Sequence, residues 1–99
     1  MPTDFTMLGG PLRIDAAHPS LAGHFPGDPI VPGVVLLDQV AARLERAGFA
    51  LVKLSAVKFL VPLRPGEEAM LGFAGDATRL RFRIERDGTP ILSGESVLA

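Results

Sequence analysis

Two side chains in this sequence suit acid–base chemistry: His24, and Asp38 fourteen residues after it. An imidazole titrates near neutral pH, which fits it to act as a general base there. A carboxyl in an apolar helical turn is pushed two ways. Desolvation favours its neutral form, and the helix N-terminus favours its ionised form. Asp38 therefore suits either a proton donor or an ionised group that orients water. Between the two lies a segment with Pro26, Gly27, Pro29, Pro32 and Gly33, too rich in fixed φ angles and missing donors for regular structure. A helix starting just after it leaves the amides of Gly33 and Val34 without internal partners, free to polarise a carbonyl. A base, a carboxyl and an oxyanion site together suit chemistry α to a carbonyl, such as loss of an α-proton with departure of a β-hydroxyl. Each feature alone also has a plain reading: a hydrogen-bonding loop histidine, a first-turn aspartate answering the helix dipole, and turn residues.

These groups need elements to hold them. Phe5–Leu8 reads as a strand and Leu12–Ile14 as a second short piece, separated by Gly9-Gly10-Pro11; residues 15–33 read as loop. The helix is expected over Val34–Ala47. Gly48 suits its exit, and Arg43 and Arg46 sit near the negative end of its dipole. Its start is apolar on most sides, as in a helix that is surrounded rather than laid on a surface. Strands are expected at Phe49–Leu60, Glu67–Phe73, Arg79–Arg86 and Thr89–Leu98. Pro62–Gly66 and Asp87-Gly88 are the turns. Arg79–Arg86 alternates strictly, with Leu80, Phe82 and Ile84 on the inner face. One early strand, one helix and four consecutive strands make an α+β fold, a curved antiparallel sheet of about five strands wrapped around one long central helix. Residues 1–99 read as a single domain.

Composition narrows the function classes. The chain has 99 residues and is 47% hydrophobic, a surplus that a small domain cannot bury alone and that suggests a dimer. A net charge of −1 gives no argument for nucleic acid or an anionic membrane. The absence of cysteine excludes disulfides, thiol catalysis and cysteine-based zinc sites, and two histidines are too few for a histidine-rich metal site. No signal peptide or membrane span is legible, so a cytoplasmic location is expected.

As one string, HFPGDPIVPGVVLLD (residues 24–38) resembles the signature of the 3-hydroxyacyl-ACP dehydratases of the FabZ and FabA type. VKFLVPLRPGEEAML (residues 57–71) resembles the same family's second block, an aromatic in a strand followed by Pro and then Pro-Gly-acid. VVLLDQV is similar to the small dehydratases of aryl polyene and related pathways. The resemblance implies a hotdog fold and dehydration of a 3-hydroxyacyl chain carried on the phosphopantetheine of an acyl carrier protein, giving trans-2-enoyl-ACP. It implies no metal or redox cofactor. It makes His24 and Asp38 catalytic and gives the Gly33 amide the thioester carbonyl, with Val34 and Phe25 beside the substrate. The site would form across a dimer, His24 from one chain and Asp38 from the other, with the two sheets joined. The dimer would be homodimeric or made with a paralogous dehydratase. Two departures stand out: FabZ-type members usually have Glu where this chain has Asp38, and Gln where it has Ala42.

Other readings stay open at this level. A hotdog thioesterase would use Asp38 to activate water, and a non-catalytic subunit would support an active paralogue. His18 reads as a loop residue. Arg79, Arg81 and Arg83 read as a solvated strand face or as a docking face for an acidic carrier protein, with Arg13, Lys53, Lys58 and Arg64 as further candidates. Phe25 and Phe59 read as core or tunnel lining.

Overall fold

The computed structural model describes residues 5–18 and 30–99. Within them are six elements: β1 (Phe5–Arg13), α1 (Gly33–Arg46), β2 (Leu51–Phe59), β3 (Glu68–Gly75), β4 (Arg79–Arg86) and β5 (Thr89–Leu98). The strands form one antiparallel sheet of order β1-β3-β4-β5-β2. The α+β class and the count of about five strands expected from the sequence are met.

β4 and β5 fall where the pattern placed them, because both signals are local. Leu80, Phe82 and Ile84 are buried while Arg79, Arg81 and Arg83 are exposed. Asp87 and Gly88 both take positive φ, 50° and 80°, as a two-residue type I′ hairpin requires. At the β3–β4 turn the Asp76 carboxylate accepts from the Thr78 hydroxyl at 2.7 Å and from the amides of Thr78 and Arg79. These bonds hold its pKa below the usual aspartate value, the Thr78 side chain contributing most.

β1 differs from expectation. The two short pieces are one strand across Gly9-Gly10-Pro11, with a bulge where the register shifts between Leu8 and Gly10. Gly10 absorbs the bulge at φ 93°. Pro11 is tolerated because β1 is an edge strand. From α1 the Arg43 guanidinium donates to the carbonyls of Gly9 and, at 2.9 Å, Pro11. Arg43→Met removes two charged donors, one from the partly buried Gly9 carbonyl and one from the exposed Pro11 carbonyl. It is expected to destabilise the fold by about 2 kcal/mol, read as a lower urea midpoint; an unchanged midpoint would show that the clamp carries no stability.

α1 has the expected length, fourteen residues, shifted by one residue toward Gly33. Its nearest strands are β1 and β2, the two edges, so the sheet curls toward it from both sides. Val35, Leu36, Val40 and Leu44 face the sheet and are buried. The expected long central helix is fourteen residues, and the described residues surround it only on the sheet side. Val34 is 64% exposed, and the 3.6-residue period sets it on one face with Asp38, which is exposed too.

The core between helix and sheet includes Leu44, Leu71, Phe73, Leu80, Phe82, Ile84 and Leu92. Its one buried polar residue among those described, Ser96, donates its hydroxyl to the Leu80 carbonyl at 2.6 Å, which meets its hydrogen-bonding need. The β2–β3 connection is stapled by Glu67. Its carboxylate accepts from the Arg64 amide at 2.7 Å and pairs with Arg86 at 3.0 Å.

Candidate active site at the helix entrance

Pro32 is the N-cap of α1, with ψ 141°, and no side chain caps the first turn. Its carbonyl accepts from the Val35 amide at 3.0 Å. The Gly33 and Val34 amides precede any intrahelical partner, and no side chain among the described residues caps them. No acidic residue stands in the first turn to compete for them.

The entrance is held from below by main-chain bonds. The Val31 amide donates to Leu63 O at 2.8 Å, and the amides of Leu60 and Val61 both donate to Ile91 O at 2.8 and 3.2 Å. These bonds tie the approach to α1, the end of β2 and the start of β5 into one frame. Between them lies a groove of about 370 Å³, lined by residues 30–33, Leu36, residues 59–63 and Ile91. None of these residues has a polar side chain. Such a groove suits a hydrocarbon chain, with the helix amides as a polar target at one end. The Phe59 ring lies along the direction a side chain on Gly33 would take: a Cβ there would stand 2.6 Å from Phe59 Cζ. Glycine at position 33 is thus a packing requirement as well as an open approach to the amide.

The sequence-derived residues fall as follows. Gly33 and Val34 are together at the entrance. Asp38 lies one turn further, exposed, on the same face as Val34. The described residues do not supply the apolar enclosure that the sequence suggested for Asp38. His24 and Phe25 lie outside the described residues. His18 is half-buried and its amide donates to Asp15 O at 2.9 Å, as befits a loop residue.

A larger depression, about 560 Å³, lies on the outer face of the sheet, with Lys58, Arg81, Arg83 and Glu95 around a floor that includes Gly72 and Ala74. It contains neither the helix amides nor Asp38, so the smaller groove is the better candidate for chemistry. On the outer face Arg79 pairs loosely with Glu95 at 3.8 Å, and Arg83 with Glu85 at 2.8 Å. Exposed pairs of this kind contribute little. Among the described residues no group of three or more His, Asp or Glu could hold a metal.

Sequence reasoning missed Arg43 as a structural clamp and Phe59 as the cover of Gly33. The pair Gly9-Gly10 was the available signal for the first, since bare backbone invites a close side chain. Contact between residues 33 and 59 had no local signal.

Comparisons with known proteins agree with the sequence block. A family model described as ApeI-like, ApeI dehydratase, matches residues 6–95. The 3-hydroxyacyl-[acyl-carrier-protein] dehydratase FabZ of Syntrophobacter fumaroxidans is 34% identical over 65 residues, covering 54% of this chain and 44% of that protein. FabZ of Verminephrobacter eiseniae is 30% identical over 80 residues, covering 68% of this chain and 53% of that protein. The chain spans about half the length of these curated relatives. Among solved structures, the dehydratase heterocomplex ApeI:P from Xenorhabdus doucetiae superposes with a TM-score of 0.77 at 26% identity, covering 100% of this chain and 98% of that one.

Proposed function

This chain belongs to the ApeI-like dehydratase family, and from that premise we propose that it removes water from a 3-hydroxyacyl thioester borne by an acyl carrier protein, giving the trans-2-enoyl thioester. The observation that carries the reading is the groove without polar side chains that ends on the first helical amides, those of Gly33 and Val34. It has an apolar place for an acyl chain and a polar place for a carbonyl.

In this reading the thioester carbonyl accepts from the Gly33 amide, which stabilises the enolate as charge develops. His24 takes the α-proton. The Cα–Cβ double bond forms as the Cβ–O bond breaks, and the departing hydroxyl takes a proton to leave as water. Asp38 holds that hydroxyl. Val34 flanks the carbonyl, and Phe25 lines the approach beside His24. The elimination moves one proton and one hydroxyl with no net oxidation, so it calls for no redox cofactor and, in this scheme, no metal.

We place the site across a dimer, with His24 and Asp38 from different chains. The supporting features are the exposure of Asp38, the open edge of β2, and exposed apolar residues along it and beside it: Val52 at 61%, Phe59 at 60%, Leu60 at 51% and Val34 at 64%. A partner sheet joined at β2 would cover this side and enclose the helix. Residues 1–99 would then act as one domain, in the cytoplasm. No helix among the described residues is long and apolar enough to cross a membrane.

A second reading is favoured by one finding. The neighbour in Xenorhabdus doucetiae is a complex of two different dehydratase chains, so this chain could instead be the supporting member of a mixed pair. The purified chain is expected to convert 3-hydroxyacyl-ACP to the enoyl product, followed by mass spectrometry. Inactivity alone, with activity on mixing with a paralogue, would move the chemistry to the mixed pair. Free thiol without enoyl product would indicate hydrolysis.

A further inference from the structure

Phe59 ends β2 in an unusual state, a large ring left 60% exposed beside an apolar groove. Its base is fixed. The chain pairs Phe59 with Leu92 on β5, and the next two amides both bond Ile91 O. Its ring is pressed toward the helix start, where any side chain at position 33 would collide with it. The ring therefore stands directly beside the residue whose amide the proposed reaction uses. The groove residues Val31, Leu36 and Leu63 are buried, while Leu60 and Val61 share its open side with Phe59; of these three only Phe59 abuts Gly33. In the dehydratase reading, an acyl chain whose carbonyl meets the Gly33 amide and which enters the groove passes this ring.

We propose that Phe59 is a specificity-determining residue: it selects thioesters whose acyl chain is unbranched and flat at the carbons just beyond C3, and rejects chains that are bulky there. The inference rests on the dehydratase reading for the position of the carbonyl. A quaternary carbon beside C3 would need the volume the ring occupies, whereas a straight chain passes along its face. In an apolar pocket, one or two methyl groups change kcat/KM by about 10–200-fold.

The test compares straight-chain 3-hydroxyacyl-ACP with the 4,4-dimethyl analogue in wild type, Phe59→Leu and Phe59→Ala. The straight-to-branched ratio of kcat/KM is expected to fall at least about tenfold in Phe59→Ala, with Phe59→Leu intermediate. Circular dichroism and sedimentation would establish that the variants are folded and in what assembly. An unchanged ratio in folded variants overturns the proposal, even if dimer dissociation shifts, because Phe59 would then serve only an interface. If wild type turns over neither substrate, the dehydratase reading fails separately. The same ratio is then read from dissociation constants of the matching acyl-pantetheine amides, and an unchanged ratio, or no binding of either amide, overturns the role given to Phe59.

Discussion

Alanine at position 24 is expected to lower kcat for dehydration by about 10²–10⁴, the usual loss on removing a positioned acid–base group. His24→Ala should leave far-UV circular dichroism unchanged. Asp38→Asn should be comparably damaged, since Asn keeps the shape and loses the charge. The informative experiment mixes the two dead variants. If each site takes His24 from one chain and Asp38 from the other, a mixed dimer holds one site with both residues mutated and one with both intact. Random exchange makes half of the dimers mixed, each with one intact site of two, so activity should return to about a quarter of wild type. A site built within one chain would recover nothing on mixing. His24→Ala with nearly full activity would remove the histidine from the chemistry altogether. The exposed position of Asp38 makes the crossed arrangement the natural one: none of the described residues buries it or Val34 beside it.

The sequence yielded most where its signals were local. The alternation from Arg79 to Arg86 and the Asp87-Gly88 turn needed no distant partner, and β4 and β5 fall on the expected residues. β1 was misread because Gly9, Gly10 and Pro11 are local breakers. They persist in a strand only through pairing with β3 and through Arg43, 34 residues from Gly9. The helix was placed to within one residue, but what covers its exposed face was not legible. An apolar side chain at position 34 looks the same in a sequence whether its cover comes from this chain or from another. Gly33 fell at the helix start as expected, and Asp38 one turn into the helix; His24 to Pro29 lie outside the described residues. The cover that Phe59 places over Gly33 was not legible, because only the joint register of β2, β5 and α1 brings them together.

Phe82→Ala is expected to be the most damaging change to the fold. Phe82 is 1% exposed in β4, the middle strand of the sheet, and pairs across to Phe73 on β3 and Gly94 on β5. The sheet has made room for it: a Cβ on Gly94 would lie 2.5 Å from Phe82 Cζ. Truncating the ring loses its transfer energy and leaves a cavity that flanking strands cannot collapse into, because their spacing is set by ladder hydrogen bonds. The cost is about 3–5 kcal/mol, a large share of the roughly 5–15 kcal/mol that holds a domain together. Urea unfolding at fixed protein concentration would show it as a lower midpoint with little change in slope. The glycine supplies an internal control. Gly94→Ala alone should cost about 1–3 kcal/mol by overpacking against the ring. In a Phe82→Leu background the added methyl has space, so the same change should cost markedly less there. The coupling between neighbouring positions would appear as a non-zero interaction energy in the double-mutant cycle. Strict additivity would show that the ring and the glycine do not share one volume, and that the bare backbone at position 94 exists for some other reason than to seat Phe82.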